Sequence, residues 1–204
     1  MVTLKSSDLD LKALHRLLIG GIVPRPIALV STQDPLGKTN VAPFSFFSGV
    51  CSNPPSLVIS VASKPDGSKK DTLRNIEETK EFVVNSSQVP WAKQINECSA
   101  PLPHEESEFD RTGLTPQASQ FVQPPRVKES LFQMECKLLN LVPVGDGSAG
   151  SSTLVIGEIL AFHVSPEVYK EGKIELPNYQ PLSRLGGLDY GEIGRVFSLP
   201  RPKV

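Results

Sequence analysis

No two of the three cysteines, Cys51, Cys98 and Cys136, form a CxxC pair, and their number is odd. That pattern argues against a zinc site and against a disulfide framework, and it reads as buried free thiols in a reducing compartment. Histidine is equally sparse: His15, His104 and His163 have no ligand spacing to one another or to the cysteines, so no metal is expected. Long apolar runs are missing too. None approaches the roughly 20 residues of a membrane span. The opening MVTLKSSDLDLKALHRLL is acidic and amphipathic, unlike a signal peptide, so a cytoplasmic protein away from the membrane is expected. Charge of one sign is absent as well: the formal net charge is −1 and the basic residues are scattered. A nucleic-acid surface is therefore not expected, although a small anionic ligand is compatible. No GxGxxG follows a strand, and GDGSAGSS (145–152) lacks the Lys-Ser/Thr of a P-loop. A Rossmann domain is excluded, and the glycine-rich stretch reads as a hairpin turn.

What is present is ordinary for a globular chain, with 39% hydrophobic and 21% charged residues among 204. Leu9, Leu11, Leu14, Leu17 and Leu18 form a helical stripe opened by Ser7 and Asp10 as a capping box, and Gly20-Gly21 stops it. Short β-rich runs follow at Pro26–Thr32, Ser56–Val61 and Phe82–Asn85, with longer ones at Leu131–Val142 and Thr153–Val164. Helices are expected at Ser68–Thr79 and Val89–Cys98, with Trp91 packing on the strands or at a subunit contact. Residues 100–125, rich in proline, form a long connection. The tail, about 170–204, lacks periodicity. Strands dominate and no linker divides the chain, so one domain over 1–204 is expected, a β-barrel with appended helices including one at about 8–19.

Few side chains carry obvious chemistry. His163 lies in a strand pattern and reads as a core histidine; His104 reads as an exposed loop residue. Glu105, Glu106, Glu108 and Asp110 read as a solvated acidic face, Cys51 as an inert thiol, and Asn85-Ser86-Ser87 as a chance sequon. GSKKDTLRNI (67–76) is different. Ser68 and Asp71 make a capping box that starts a helix near Lys69, so two lysines fall in a first turn that already carries positive partial charge. A phosphate would turn those lysines into partners, with backbone N–H groups and Thr72 adding donors. Solvated surface charge remains the competing reading of this stretch alone. Upstream, NVAPFSFFSGVCSNPP (40–55) sets Asn40, Ser45 and Ser48 among Val41, Ala42, Phe44, Phe46 and Phe47, the mixture that a planar amphipathic ring needs. A core strand with a bulge at Pro43 is the alternative.

Taken in order, PRPIALVST, NVAPFSFF, SNPP, KKDTLRNI, FVVN, EFDRTGLTP (108–116), PPRVKESLFQMECKL (124–138), LVIGEILAFHV (154–164) and PLSRLGGLDYG (181–191) span nearly the whole chain. This ordered set resembles the flavin reductase-like family of FMN-binding split barrels, which includes flavoredoxins and the reductase components of two-component monooxygenases. The resemblance implies a mainly β fold with helices, a six-stranded Greek-key split β-barrel, dimerised with FMN at the subunit interface. It places Arg25, Asn40, Ala42 and the 43–47 backbone around the isoalloxazine and ribityl chain, with Phe44, Ser45 and Phe46 in that stretch. Ser60, Lys70 and Thr72 would hold the phosphate, with Lys69 assisting or facing solvent. Arg184 and Tyr190 would cover the site, from the same or the second subunit.

No catalytic triad is needed on this reading, because the flavin carries the redox chemistry and the protein orients, tunes and gates it. Arg25 is the candidate cation for the N1–C2=O end. The expected activity is NAD(P)H-dependent reduction of bound or exchangeable flavin, with an oxygenase or another protein as acceptor. An FMN electron carrier without nicotinamide turnover is the alternative, and a pyridoxamine-phosphate-oxidase-like activity a third. No nucleotide-specific site separates NADH from NADPH in the sequence.

Overall fold

The computed structural model describes residues 1–103 and 106–202; His104 and Glu105, and the sequence readings made for them, lie outside the described residues. The chain is mainly β with helices. Seven strands form the main sheet: β1 (Ala28–Gln33), β2 (Thr39–Phe44), β3 (Phe47–Ser52), β4 (Pro55–Ala62), β5 (Glu81–Ser86), β6 (Phe132–Val144) and β7 (Ser152–Val164). Their spatial order is β2-β1-β5-β6-β7-β4-β3, and every neighbouring pair is antiparallel.

This order decides the shape. The two edge strands, β2 and β3, are consecutive in the chain and separated only by Ser45 and Phe46. Laid flat, seven strands would hold their edges about 29 Å apart. Three Cα–Cα steps reach at most about 11 Å. The sheet must therefore curl until its edges meet at Ser45–Phe46, and the Ser60 N–H donates to the Phe46 carbonyl at 2.9 Å beside that junction. The main sheet has seven strands where the resemblance implies a six-stranded barrel, and the two strands that flank this junction are its edges.

Alternation along β1 explains how both of its faces are filled. Ala28 and Val30 join Phe44, Leu57, Ile59, Phe82 and Val155 in one cluster. Ile27 and Leu29 join Val41, Ile95, Phe109 and Val127 in another. The helix between β4 and β5, Asp71–Thr79, buries Leu73 and Ile76 in the first cluster. The N-terminal helix is α1 (Leu11–Gly21), so that helix is α2; α3 (Ala92–Glu97) and α4 (Glu108–Thr112) belong to the second cluster's side. Trp91 packs there too.

The hairpin reading of 145–152 holds. β6 and β7 pair from Val144↔Ser152 to Phe132↔Val164, and Gly145 takes a φ of 94° where an added Cβ would lie 2.4 Å from the Ser151 hydroxyl. Asp146 Oδ1 accepts bonds from the Ser148 hydroxyl, the Ser148 N–H and the Ser151 hydroxyl, which hold its pKa down to about 2. A loop centred on its own carboxylate is a poor phosphate cradle.

Several local expectations are corrected. Asp10, not Ser7, caps α1: its side chain accepts the Ala13 N–H at 2.6 Å. α2 begins at Asp71 with Lys70 as its N-cap residue, because Ser68 is held in the preceding turn, donating its hydroxyl (2.7 Å) and N–H (2.9 Å) to Asp66. Cys51 is exposed, unlike Cys98 and Cys136. The reading of Asn85-Ser86-Ser87 as a chance sequon needs no correction: Asn85 is wholly buried and donates to Leu29 O and the Ser31 hydroxyl. Among the described residues, no helix is long and apolar enough to cross a membrane.

Candidate functional site

The segment 40–46, all of β2 after Thr39 and the two junction residues, gathers most of the candidate side chains into a strip. At its start the α2 N-terminus packs on β2. Asn40 Nδ2 donates to the Thr72 hydroxyl at 3.0 Å and to the Thr32 hydroxyl at 3.4 Å. Thr72 is the second residue of α2 and is only 2% exposed. The Lys70 side chain makes no cap bond to the first N–H groups of α2, and Asp71, the acidic residue of that first turn, is paired with Arg74.

The two lysines of GSKKDTLRNI diverge. Lys69 reaches along the helix to Glu77, with its ammonium 2.6 and 2.8 Å from the two carboxylate oxygens, out in solvent. Lys70 turns the other way, with its ammonium 5.6 Å from the centre of the Phe44 ring. Burial of its head, and then the charge of Lys64, lower its pKa from the ordinary lysine value. Although its overall area is exposed, the charged end is crowded; among the described residues it has no ion pair.

Ala42, opposite Val30, packs on the first core cluster. Farther along, Phe44 is buried, Ser45 half-buried and Phe46 exposed. Ser60 is brought to the strip by its backbone bond to Phe46.

Arg25 anchors the far end. Its side chain is buried, and its Nη1 donates to the carbonyls of Ile19 (2.6 Å) and Ile22 (2.8 Å) at the C-terminal end of α1. Nη2 donates to Leu185 O at 2.9 Å, and Nε to the Ser45 hydroxyl at 3.3 Å. The guanidinium also sits 5.8 Å from the Phe46 ring centre. Burial and then the charge of Arg184 lower its pKa. Its donors are thus largely committed to the protein, and Arg25 clamps α1, Ser45 and residue 185 together.

The clamp also fixes the tail. Residues Ser183–Arg184 pair with Arg25–Pro26, and Tyr190–Gly191 pair with Ser183–Arg184. Arg184 stacks 4.4 Å over the Tyr190 ring and donates to the carbonyls of Gly187 and Asp189, while the Tyr190 hydroxyl donates to Asn96 Oδ1 at 2.9 Å. The tail therefore reaches the strip of its own chain. Pro43, Ser45, Ile95, Asn96, Arg184 and Tyr190 face a common cleft of about 150 Å³. A larger cleft of about 660 Å³ is lined mostly by apolar residues such as Phe47, Leu57, Phe132 and Ile159.

Sequence reasoning missed four polar residues. Thr32 and Asn75 are buried behind Asn40, and Asn75 Nδ2 donates to the Thr32 hydroxyl at 3.1 Å. Glu108 is not part of a solvated face: its carboxylate is buried, accepts the Val41 N–H at 2.9 Å, and has its pKa raised by burial. Glu135, fully buried, accepts the Gln120 and Phe121 N–H groups and lies 2.7 Å from His163 Nε2. His163 is thus the partner of a buried carboxylate, not a core histidine. Strand alternation could hint only at Thr32 and Glu135; Asn75 and Glu108 lie on α2 and α4, and polar residues on a buried face leave no signal of their own.

A family model for the flavin reductase like domain matches residues 20–182, which contain every element of the strip except Arg184 and Tyr190. The chain belongs to the flavin reductase-like family. Among solved structures, nitrilotriacetate monooxygenase component B from Bacillus cereus is 39% identical with a TM-score of 0.93, covering 98% of each chain. The 2-nitrobenzoate 2-nitroreductase NbaA of Pseudomonas fluorescens is 30% identical with a TM-score of 0.87, covering 98% of this chain and 96% of that one. A split barrel domain protein from Shewanella frigidimarina is 26% identical with a TM-score of 0.84, covering 99% and 100%. The curled sheet of this flavin reductase-like chain is accordingly a split barrel.

Whether the strip fits a flavin can be asked of its own donors. The α2 end offers a helix start without a side-chain cap bond, a cation with no ion pair among the described residues and a hydroxyl, a donor set suited to a phosphate. The other end offers Ser45, the exposed Phe46 ring and a cleft walled by Arg184 and Tyr190. The residues present fit the group.

Proposed function

We propose that this protein is an FMN-binding oxidoreductase that takes electrons from NAD(P)H, one FMN-binding unit spanning the chain. The observation that carries the cofactor assignment is the divergence of the two lysines: Lys69 is occupied by Glu77, whereas Lys70 has no ion pair among the described residues and stands beside an α2 start without a side-chain cap bond. Lys70, Thr72 and the first N–H groups of α2 would hold the phosphate, with Ser60 nearby on the strand that meets Phe46. Asn40, Ala42, Phe44, Ser45 and Phe46 would flank the ribityl chain and ring. Arg184 and Tyr190 would close the far end, and Arg25 would hold Ser45 and the tail in place.

FMN supplies the two-electron redox chemistry when bound. The protein's contribution is to bind, orient and shield, and nothing in the strip requires a separate acid–base pair. We further propose a homodimer. The α1 face is apolar yet exposed, with Leu11, Leu17 and Leu18 uncovered, and the outer β6 and β7 residues Leu139, Val142, Leu160 and Phe162 are also exposed. Such a combined area suits a partner subunit better than solvent. An oxygenase or another acceptor protein would then receive the electrons, as the name of the Bacillus cereus monooxygenase component suggests for that protein.

Anaerobic titration of purified, FMN-loaded protein with NADH and with NADPH tests the reading. Bleaching of the flavin absorbance within turnover time supports an oxidoreductase. No bleaching by either nicotinamide, with reduction by a protein donor intact, would make it an electron carrier. A colourless protein that binds no added FMN would sink the assignment.

A further inference from the structure

We propose that Thr32 and Asn75 are positioning residues: through Asn40 they hold the Thr72 hydroxyl with its proton free for the anion at the α2 N-terminus. This rests on the FMN phosphate reading above. The starting observation is a run of buried polar side chains: Thr32 is 0% exposed, Asn75 1% and Thr72 2%. They are joined in one line. Asn75 Nδ2 donates to Thr32, Asn40 Nδ2 donates to Thr32, and Asn40 Nδ2 donates to Thr72.

Counting donors gives the direction. An amide nitrogen has two hydrogens, and Asn40 places one on each threonine. Both lone pairs of the Thr32 hydroxyl are then engaged, one by Asn40 and one by Asn75. Thr72 receives a hydrogen from Asn40, so its own hydrogen cannot point at that nitrogen and is directed elsewhere. A freely rotating Asn40 would lose this bias. Turned over, its oxygen would face Thr72 and accept the proton that the phosphate needs.

One detail suggests that the arrangement is not maintained for stability alone. Asn75 Oδ1 is buried without a hydrogen-bond partner among the described residues. A buried carbonyl in that state is destabilising. The amide is nevertheless set with its nitrogen on Thr32, which is the orientation the relay requires.

The test is selective binding. FMN and riboflavin differ only in the phosphate, so a residue that acts on the phosphate donor must affect one ligand and spare the other. Dissociation constants for both are measured by flavin fluorescence quenching for the wild type, Thr32→Val, Thr32→Ser and Thr72→Val, with the melting temperature of each apo protein. Thr32→Val is expected to weaken FMN about 5- to 10-fold, the scale of one misdirected hydrogen bond. Riboflavin should change less than about twofold, and Thr32→Ser should retain FMN binding. In the Thr72→Val background, Thr32→Val should add no further loss.

Equal weakening of both flavins would reduce Thr32 to a packing residue and overturn the inference. So would losses that add in the double variant, or FMN binding unmoved by Thr32→Val while Lys70→Ala weakens it. If Thr32→Val does not fold, Asn75→Ala gives the same comparison from the other end of the line. A wild type that fails to prefer FMN over riboflavin would instead overturn the phosphate reading itself.

Discussion

Lys70 should oppose the stability of the empty protein and support cofactor binding, and Lys70→Ala separates the two effects by sign. In the empty protein the ammonium sits at the positive end of α2, which is unfavourable by about 0.3–1 kcal/mol. It is also crowded by burial and by Lys64. Against this stands the contact with Phe44, worth about 0.5–1 kcal/mol at an accessible site. Those two terms sum to between a loss of about 0.7 and a gain of about 0.5 kcal/mol on removal, and relief of the crowding moves the balance toward a gain. For a chain of this size the melting temperature should therefore be unchanged or raised, by no more than about 2–4 °C. With FMN the sign reverses. A charge-assisted bond to phosphate contributes about 1.5–3 kcal/mol, so Lys70→Ala should weaken FMN roughly 10- to 150-fold at low salt. Lys69→Ala removes only an exposed pair with Glu77 and should leave FMN within about twofold.

The pH dependence follows from the same site. Protonated Lys70 is the form that attracts phosphate, and its pKa in the empty protein lies below the ordinary lysine value. Affinity should therefore fall as pH rises through that lowered pKa, earlier than an unperturbed lysine would dictate, and Lys70→Ala should lack this limb. Differential scanning fluorimetry of the apo forms and fluorescence titrations across pH provide the readouts. Lys70→Ala with FMN affinity untouched, or Lys69→Ala abolishing it, would refute the reasoning.

Three further outcomes can be checked by thermal melts. Gly157→Ala would place a Cβ 2.3 Å from Phe82 Cζ in the core, so it should destabilise by about 1–3 kcal/mol, with partial recovery on adding Phe82→Leu; an unchanged melt would mean the ring can yield. Burial raises the Glu108 pKa above its unfolded value, so its contribution is fully present below the unfolded pKa and is lost as pH rises through the folded one. Glu108→Gln should flatten that decline, and an identical profile would exclude Glu108 as its source. For Arg25, Lys cannot reproduce a fork that reaches Ile19, Ile22, Leu185 and Ser45 at once. Arg25→Lys should therefore be destabilised by about 2–4 kcal/mol and the 183–191 tail cut faster by protease; wild-type stability would contradict the clamp.

The elements legible in the sequence were those with a repeating pattern. β1, β4, β5, β6 and β7 lie where alternation and β-branched residues put them, and the 145–152 turn announced itself by glycine spacing. Helix starts were read less well. Ser68 and Asp71 satisfy the spacing of a capping box, but Asp66, two residues upstream, takes both Ser68 donors first. Local competition of this kind depends on the turn's geometry, which spacing does not encode. Glu108 failed for a related reason. Four acidic residues clustered within residues 105–110 look solvated, yet α4 turns this one inward to the Val41 N–H. The candidate site was legible as a set of motifs and not as a connected object. That Lys70 meets Phe44, and that Arg25 grips both α1 and the tail, are consequences of sheet closure.

Closure also explains why the site carries two pairs of like charge. At the α2 end of the strip burial and then the charge of Lys64 lower the Lys70 pKa, and at the tail end burial and then the charge of Arg184 lower that of Arg25. Neither pair is neutralised in the protein: Lys70 has no ion pair among the described residues, and Arg25 and Arg184 donate to carbonyl and hydroxyl oxygens rather than to carboxylates. Repulsion within each pair is unfavourable for folding and would be relieved by an electron-rich ligand lying between them along residues 40–46. A phosphate alone would relieve only the first pair. A flavin extending from that phosphate to Ser45 and the tail cleft would bear on both, and more strongly once reduction places negative charge on its ring. On the proposed flavin reading, the arrangement would favour the reduced over the oxidised flavin at the tail end, while the α2 end would hold the phosphate in both states.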